Sequence, residues 1–265
     1  MKKVVLIQVA PKFAEIIPIY CKECLKHDIF DNIYISSSVN LPKMDDRCKV
    51  IRTKRDFQFS GNILKALPHV EEDILLLCCD DHIMIEPHNK PDFEETFKFI
   101  SANPKVASIR LSHNTKIKFL NNSGFLSEIH PAYNYLFSLQ PTWVRKSYLQ
   151  DMLNHGEDAW DAEHNGTQKA RKSTLKKYGV TRPVYFATNF YRKGQYLRAE
   201  FVEYALSNNI TIQNVLPVYT KRTINGKRCT GLVLIEEYIR NRDQGTLDKM
   251  VLANQIGKGV KRLPK

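Results

Sequence analysis

The stretch that most constrains this chain is Glu71 to Glu86, EEDILLLCCDDHIMIE, where an unbroken apolar run stops on two carboxylates and an imidazole. The run Ile74 to Cys79 is too short for an internal helix and lacks the polar alternation of a strand with one wet face. It suits a central strand of a parallel sheet covered on both sides. Ligands of such sheets bind beyond the carboxyl ends of the strands, and that is where Asp80, Asp81 and His82 fall. Hard oxygens with one imidazole suit a divalent cation such as Mn2+ or Mg2+. Adjacent acids after a strand also serve simply to cap the next turn, so the triplet alone leaves both readings open.

The flanking sequence alternates strand and helix signals. Val4 to Val9 reads as a first buried strand, and Pro11 opens a helix with apolar residues at Phe13, Ile16, Ile17, Tyr20, Cys24 and Leu25. Asn32 to Ser37 and Cys48 to Arg52 read as further strands, Ser60 as the cap of a short helix through Leu67, Pro91 to Ala102 as a helix and Val106 to Leu111 as a strand. Ser112 to Pro131 reads as a long loop beside the site. The aromatic run up to Pro141 reads as a strand, followed by a helix to about Leu153. This alternation predicts an α/β fold, a mostly parallel sheet flanked by helices. Neither GxGxxG nor GxxxxGK[ST] is present, so a nucleotide would be held by other means.

A second acidic cluster, HGEDAWDAE, gathers Glu157, Asp158, Asp161 and Glu163 around Trp160. Acids favour the first turn of a helix, which is the plain reading of this cluster. With the first cluster it offers a division of labour, a metal site at one and a general base at the other, as group transfer to a hydroxyl requires.

Charge is unevenly placed. Lys and Arg number 20 against 22 Asp and Glu in residues 1–165, a net of −2, and 20 against 6 in residues 166–265, a net of +14. The basic end points to an acidic partner: nucleic acid, an anionic lipid surface or an anionic substrate. A hairpin is expected around Asn225-Gly226 with Lys221, Arg222, Lys227 and Arg228 on its arms, then a helical segment broken at Gly245 and a basic tail. The six cysteines have no disulfide-framework spacing, and the Cys21-x-x-Cys24 pair falls inside a helical pattern, so a reducing cytoplasm is expected, a host's if the protein is viral. No uncharged apolar run approaches the roughly 18 residues of a spanning helix.

Three stretches carry a resemblance: FSGNILKALPHVEEDILLLCCDDHIM, YLFSLQPTWVRKSYLQDMLNHGEDAWDAE and TNFYRKGQYLRAEF. Together with the order of elements they resemble nucleotide-sugar-dependent glycosyltransferases of the GT-A fold. The first looks like the family's DxD-type site, the second like an E-x-x-W-x-x-E segment matched by Glu157, Trp160 and Glu163, and the third like a basic turn bearing Arg192 and Lys193. The sequence departs from the pattern at His82, a DxH form, and at Asp158 and Ala159, where Asn and Pro are usual.

The resemblance covers residues 1–210 and implies a GT-A-like, Rossmann-type domain there, with 211–265 a basic extension. It implies metal ligation by Asp80, Asp81 and His82, and a donor, a UDP-sugar foremost, held near Gln8, Ala10, Asp56, Asp80 and Trp160. Glu163, or else Asp161, is the base if the reaction inverts the anomeric centre. The acceptor suggested by the basic end, Arg192, Lys193, Lys221, Arg222, Lys227 and Arg228, is hydroxymethylated pyrimidine in viral DNA. Two alternatives stay open: a transferase of cell-surface polysaccharide or lipopolysaccharide resting on anionic lipid, and a nucleic-acid-binding protein with a degenerate transferase fold.

Overall fold

Six-residue apolar runs with no room for a solvated face build the middle of a sheet. β1 (Val4–Val9), buried along its whole length, lies between β2 (Asn32–Ser37) and β4 (Ile74–Cys79), and β3 (Cys48–Arg52) forms one edge. These four strands are parallel. The computed structural model describes residues 1–26, 28–80, 82–87, 90–113, 116–120, 124–189, 191–192, 196–207, 218–224, 227–233 and 238. The chain divides into two compact units, Met1–Ala187 and Thr188–Lys265.

In the first unit, β1 leads through a 3-10 turn at Pro11–Ile16 into α1 (Ile17–Lys26), and β3 leads into α2 (Gln58–Ala66). β4 is followed by β5 (His82–Pro87), α3 (Lys90–Ala102), β6 (Val106–Arg110) and β7 (Leu126–Glu128). Then come β8 (Thr142–Arg145), α4 (Lys146–Met152), α5 (Ala159–Lys172), β9 (Lys176–Val180) and β10 (Tyr185–Asn189), the last paired with β5. The main sheet has the order β3-β2-β1-β4-β8-β6-β9-β7. β8 runs antiparallel between β4 and β6, β9 is parallel to β6, and β7 closes the edge antiparallel to β9. The fold is therefore α/β with a mostly parallel sheet, as the alternation predicts.

One face of the sheet is covered by a core that includes Leu6, Tyr34, Leu75, Leu77, Ile63, Phe137, Tyr148 and Leu149. On α3, Phe93 and Phe97 pack their rings against Trp143 of β8. The Trp143 indole N–H donates to Thr96 Oγ1 at 3.1 Å, so the large buried ring leaves no unmet donor.

Three sequence expectations are corrected. Ser60 does not cap α2: the helix begins at Gln58, and Ser60 is buried inside it. The aromatic run before Pro141 is not a strand; the strand follows it, at Thr142–Arg145. The long loop after β6 contains a strand of its own, β7.

The second unit holds β11 (Tyr191–Arg192), β12 (Tyr196–Arg198), α6 (Ala199–Ser207), β13 (Val218–Ile224) and β14 (Lys227–Val233). β13 and β14 form the expected hairpin arms, with Ile224 opposite Lys227. The Asn225-Gly226 turn and the helical segment expected beyond it, apart from Tyr238, lie outside the described residues. Among the described residues no helix is long and apolar enough to cross a membrane.

Candidate functional site

Parallel strands share their carboxyl ends, and here β1, β2, β3, β4, β6 and β9 all end on one edge. The chain leaves β1 toward β2 on one side, while β4 lies on its other side. A crevice forms where strand order reverses in this way. Asp80, buried at 7% exposure, sits just past β4 in that crevice, and its Oδ2 accepts a hydrogen bond from the Ala10 amide just past β1 at 2.7 Å. A carboxylate is thus fixed across the opening by the backbone of the neighbouring strand.

Buried polar side chains continue along the edge: Gln8 on β1, Ser36 and Ser37 on β2, Thr53 after β3. Asp56 follows on an exposed turn, where its Oδ1 accepts from the Gln58 amide and from Asn62 Nδ2, both at 2.9 Å. Gln58 itself has φ of 64°, a left-handed conformation uncommon for a residue other than glycine. The structure therefore gathers Gln8, Ala10, Asp56 and Asp80 on one edge. His82, buried, opens β5 two residues beyond Asp80. Asp81 lies outside the described residues, among which no group of three or more His, Cys, Asp or Glu is placed to hold a metal ion.

The second acidic cluster splits into separate tasks. Asp158 caps α5, accepting from the Trp160 and Asp161 amides at 2.8 and 2.9 Å. Glu157 is buried and accepts from Ser60 Oγ, the Asn154 amide and side chain, and Asn165 Nδ2, so it ties α2 to α5. Burial alone would raise its pKa, but the hydrogen bonds from Asn154, Asn165 and Ser60 outweigh it and hold the carboxyl below the usual range. A depressed carboxylate contributes stability above its unfolded pKa and loses it as pH falls through the folded value. Glu157→Ala is therefore expected to cost about 3 kcal/mol at neutral pH, because several buried donors lose their acceptor. In urea unfolding the gap from the parent should narrow below about pH 4.

Glu163 is half-buried on α5. Its Oε1 accepts from Ser138 Oγ at 3.0 Å and from the Leu139 amide at 2.8 Å. The segment it grips is laid along α5 by Thr167, whose Oγ1 donates to Phe137 O at 3.2 Å and accepts from Phe137 N at 3.3 Å, and by Gly166, where a Cβ would collide with the Phe137 ring. The Leu139 carbonyl in turn meets Cys79 Sγ, at the end of β4, at 3.5 Å. A short path thus links Glu163 to the strand that carries Asp80. Asp161 is exposed in the first turn, and Trp160 is 74% exposed, so the tryptophan of the core is Trp143 and not Trp160.

Arg110, which the sequence reading passes over, ends β6 on the same edge and is buried. Burial lowers its pKa, against the opposing pull of the Glu163 carboxylate. The available signal is an arginine closing an otherwise apolar strand, VASIR. Of the basic candidates, Arg192 is in β11, Lys221 and Arg222 in β13, and Lys227 and Arg228 in β14, all in the second unit, while Lys193 lies outside the described residues.

No protein-family model matches the sequence, and no curated protein does. Among solved structures the chain is similar to TarS 1–349 of S. aureus, with 15% identity, TM-score 0.48, and 71% of this chain and 60% of that one covered. It is similar to the mannosyltransferase PcManGT of Pyrobaculum calidifontis in complex with GDP-Man and Mn2+, with 12% identity, TM-score 0.45, and 69% and 55% covered. A third similar structure is glucosyl-3-phosphoglycerate synthase of Mycobacterium tuberculosis with Mn2+ and UDP-glucose, with 11% identity, TM-score 0.45, and 88% and 87% covered. The chain thus spans less than two thirds of the TarS and mannosyltransferase chains. At these identities and TM-scores the similarity carries no statement about activity.

Proposed function

We propose that the protein transfers a sugar from a nucleotide-sugar donor, UDP-linked foremost, to a hydroxyl group. The observation that carries this reading is the crevice between β1 and β4, with the Asp80 carboxylate bonded to the Ala10 amide across it. A ligand in such a crevice would set its nucleoside against Gln8, Ala10 and Asp56 and its diphosphate toward Asp80. The donor set of Asp80, Asp81 and His82 fits a divalent cation in kind: the two described members are both buried at the strand end, and carboxylate with imidazole suits Mn2+ or Mg2+. When bound, the cation would neutralise the charge of the leaving diphosphate. Glu163, with Asp161 as the alternative, would take the acceptor's proton in an inverting reaction, and exposed Trp160 would stack on sugar or acceptor. Incubation with Mn2+ and a panel of nucleotide sugars, reading nucleotide release, tests the reading. If no nucleotide sugar is bound or cleaved, it fails.

The finer proposal is an anionic acceptor, hydroxymethylated duplex DNA foremost, because a net +14 over residues 166–265 exceeds what a diphosphate donor requires. Contacts to phosphates release counterions, so duplex affinity should fall steeply with salt. Reversing Lys221, Arg222, Lys227 and Arg228 to Glu is expected to flatten that dependence and raise the acceptor's KM while sparing donor hydrolysis. If the protein instead binds anionic vesicles and shows no salt-sensitive affinity for DNA, the surface-glycan alternative takes over. Salt-sensitive DNA binding with no donor cleavage would leave only the binding-protein alternative.

A further inference from the structure

Arg110 is buried, at 8% exposure, at the end of β6. Its Nε donates to Ser112 Oγ at 2.8 Å, but Nη1 is buried without a hydrogen-bond partner. A guanidinium has five donors and no acceptor, and a buried cation with an unused donor is costly. Such a group is retained where its charge has a use.

Arg110 lines a small cleft with Tyr135, Ser138, Thr142 and Tyr178. Within it there is about 10 Å³ for the centre of a water-sized group, enough for one oxygen atom and its immediate surroundings. Tyr135 at its rim is 47% exposed, so the cleft reaches the surface. The two hydroxyl protons beside Arg110 are already committed, Ser138 Oγ donating to Glu163 and Thr142 Oγ1 to the Gln140 carbonyl. Any donor offered inside the cleft by these three residues therefore belongs to the Arg110 guanidinium. Ser138 also joins this cleft to Glu163, so a group seated on Arg110 lies beside the carboxylate of α5.

We propose that Arg110 reads an anionic group on the acceptor, taking one oxygen of a phosphate or carboxylate end-on in the cleft while the rest of the group rests at the rim by Tyr135. The glycosyl-transfer reading is needed only to name the ligand's carrier as the acceptor; the anion site stands on the cleft itself. An anion bound there fixes the acceptor against the wall that holds Glu163.

The test uses the full chain carrying 15N-labelled arginine, with inorganic phosphate and acetate as probes at constant ionic strength. The Arg110 guanidinium signals, assigned with Arg110→Lys, are expected to shift on titration. Arg110→Met, checked for fold by circular dichroism, should weaken phosphate binding by about tenfold to a hundredfold, the range for a charge-assisted hydrogen bond. The shift should persist when UDP is saturating. If UDP itself moves these signals and removes the phosphate response, the anion belongs to the donor and the acceptor assignment is overturned. If neither probe moves them, or Arg110→Met binds phosphate as the parent does, there is no anion site and Arg110 is only the counter-charge of Glu163. Failure of the parent to bind or cleave any nucleotide sugar would sink the glycosyl-transfer reading separately, since the arginine signals are read without turnover.

Discussion

Asp80→Asn is expected to lower nucleotide-sugar cleavage by about a hundredfold or more, the scale for removing one aligned charge from a preorganised site, while leaving the melting temperature within a few degrees of the parent's. The reason for the split is geometric. Asp80 lies just past the end of β4 and accepts a cross-strand bond from the Ala10 amide. Asparagine keeps an oxygen that can accept that bond, so the link between β1 and β4 survives and only the negative charge is lost. His82→Ala should share the loss of cleavage. Calorimetric titration of UDP with Mn2+ separates binding from turnover: variants at both positions that bind UDP and Mn2+ as tightly as the parent would refute the metal assignment.

The part of this site that rests on strand ends was legible because a short apolar run without alternation suits a doubly covered strand, whose first polar residues then emerge at the edge. That logic puts Asp80 at the edge, whereas Gln8 and Ala10 come only from the family resemblance; the structure sets all three at the same strand ends. The same logic failed for the segment before Pro141, where Tyr133, Tyr135 and Phe137 look like a strand. The backbone there is satisfied by side chains of α5 and not by a ladder: Thr167 answers both polar groups of Phe137, and Glu163 answers the Leu139 amide. Nothing local to the segment announces partners some 25 to 30 residues away. The same holds for Ser60, a credible cap by residue type whose hydroxyl is instead spent on Glu157, 97 residues on.

Tryptophan shows the other limit of composition. Trp143 and Trp160 are alike in sequence terms, each beside an acid- or base-bearing helix start, yet one is wholly buried against Phe93 and Phe97 and the other stands in solvent. The difference is set by β8 lying antiparallel between two parallel neighbours, a placement that strand signals do not encode. Arg110 escaped for a related reason: a charged residue closing a strand reads as the point where the chain meets water, yet here it is buried in a cleft it shares with Tyr135, Phe137 and Ser138.

Glu163→Gln is expected to leave UDP binding unchanged and to lower transfer by about a hundredfold or more, the usual scale for loss of a general base. The substitution isolates chemistry from positioning. Oε1 of Glu163 is fixed by the Ser138 hydroxyl and the Leu139 amide, and a glutamine oxygen can accept the same two bonds, so the side chain keeps its place while losing its basicity. Glu163→Ala should add a folding defect, because the Leu139 amide then loses its acceptor; a lower melting temperature in Ala than in Gln, with similar loss of transfer in both, is the pattern of a base held by its neighbours. Asp161→Asn provides the comparison, since Asp161 is exposed in the first turn of the same helix and should retain most of the activity. A parent-like rate in both Glu163→Gln and Asp161→Asn would remove the base from this helix altogether and favour a reaction that retains the anomeric configuration.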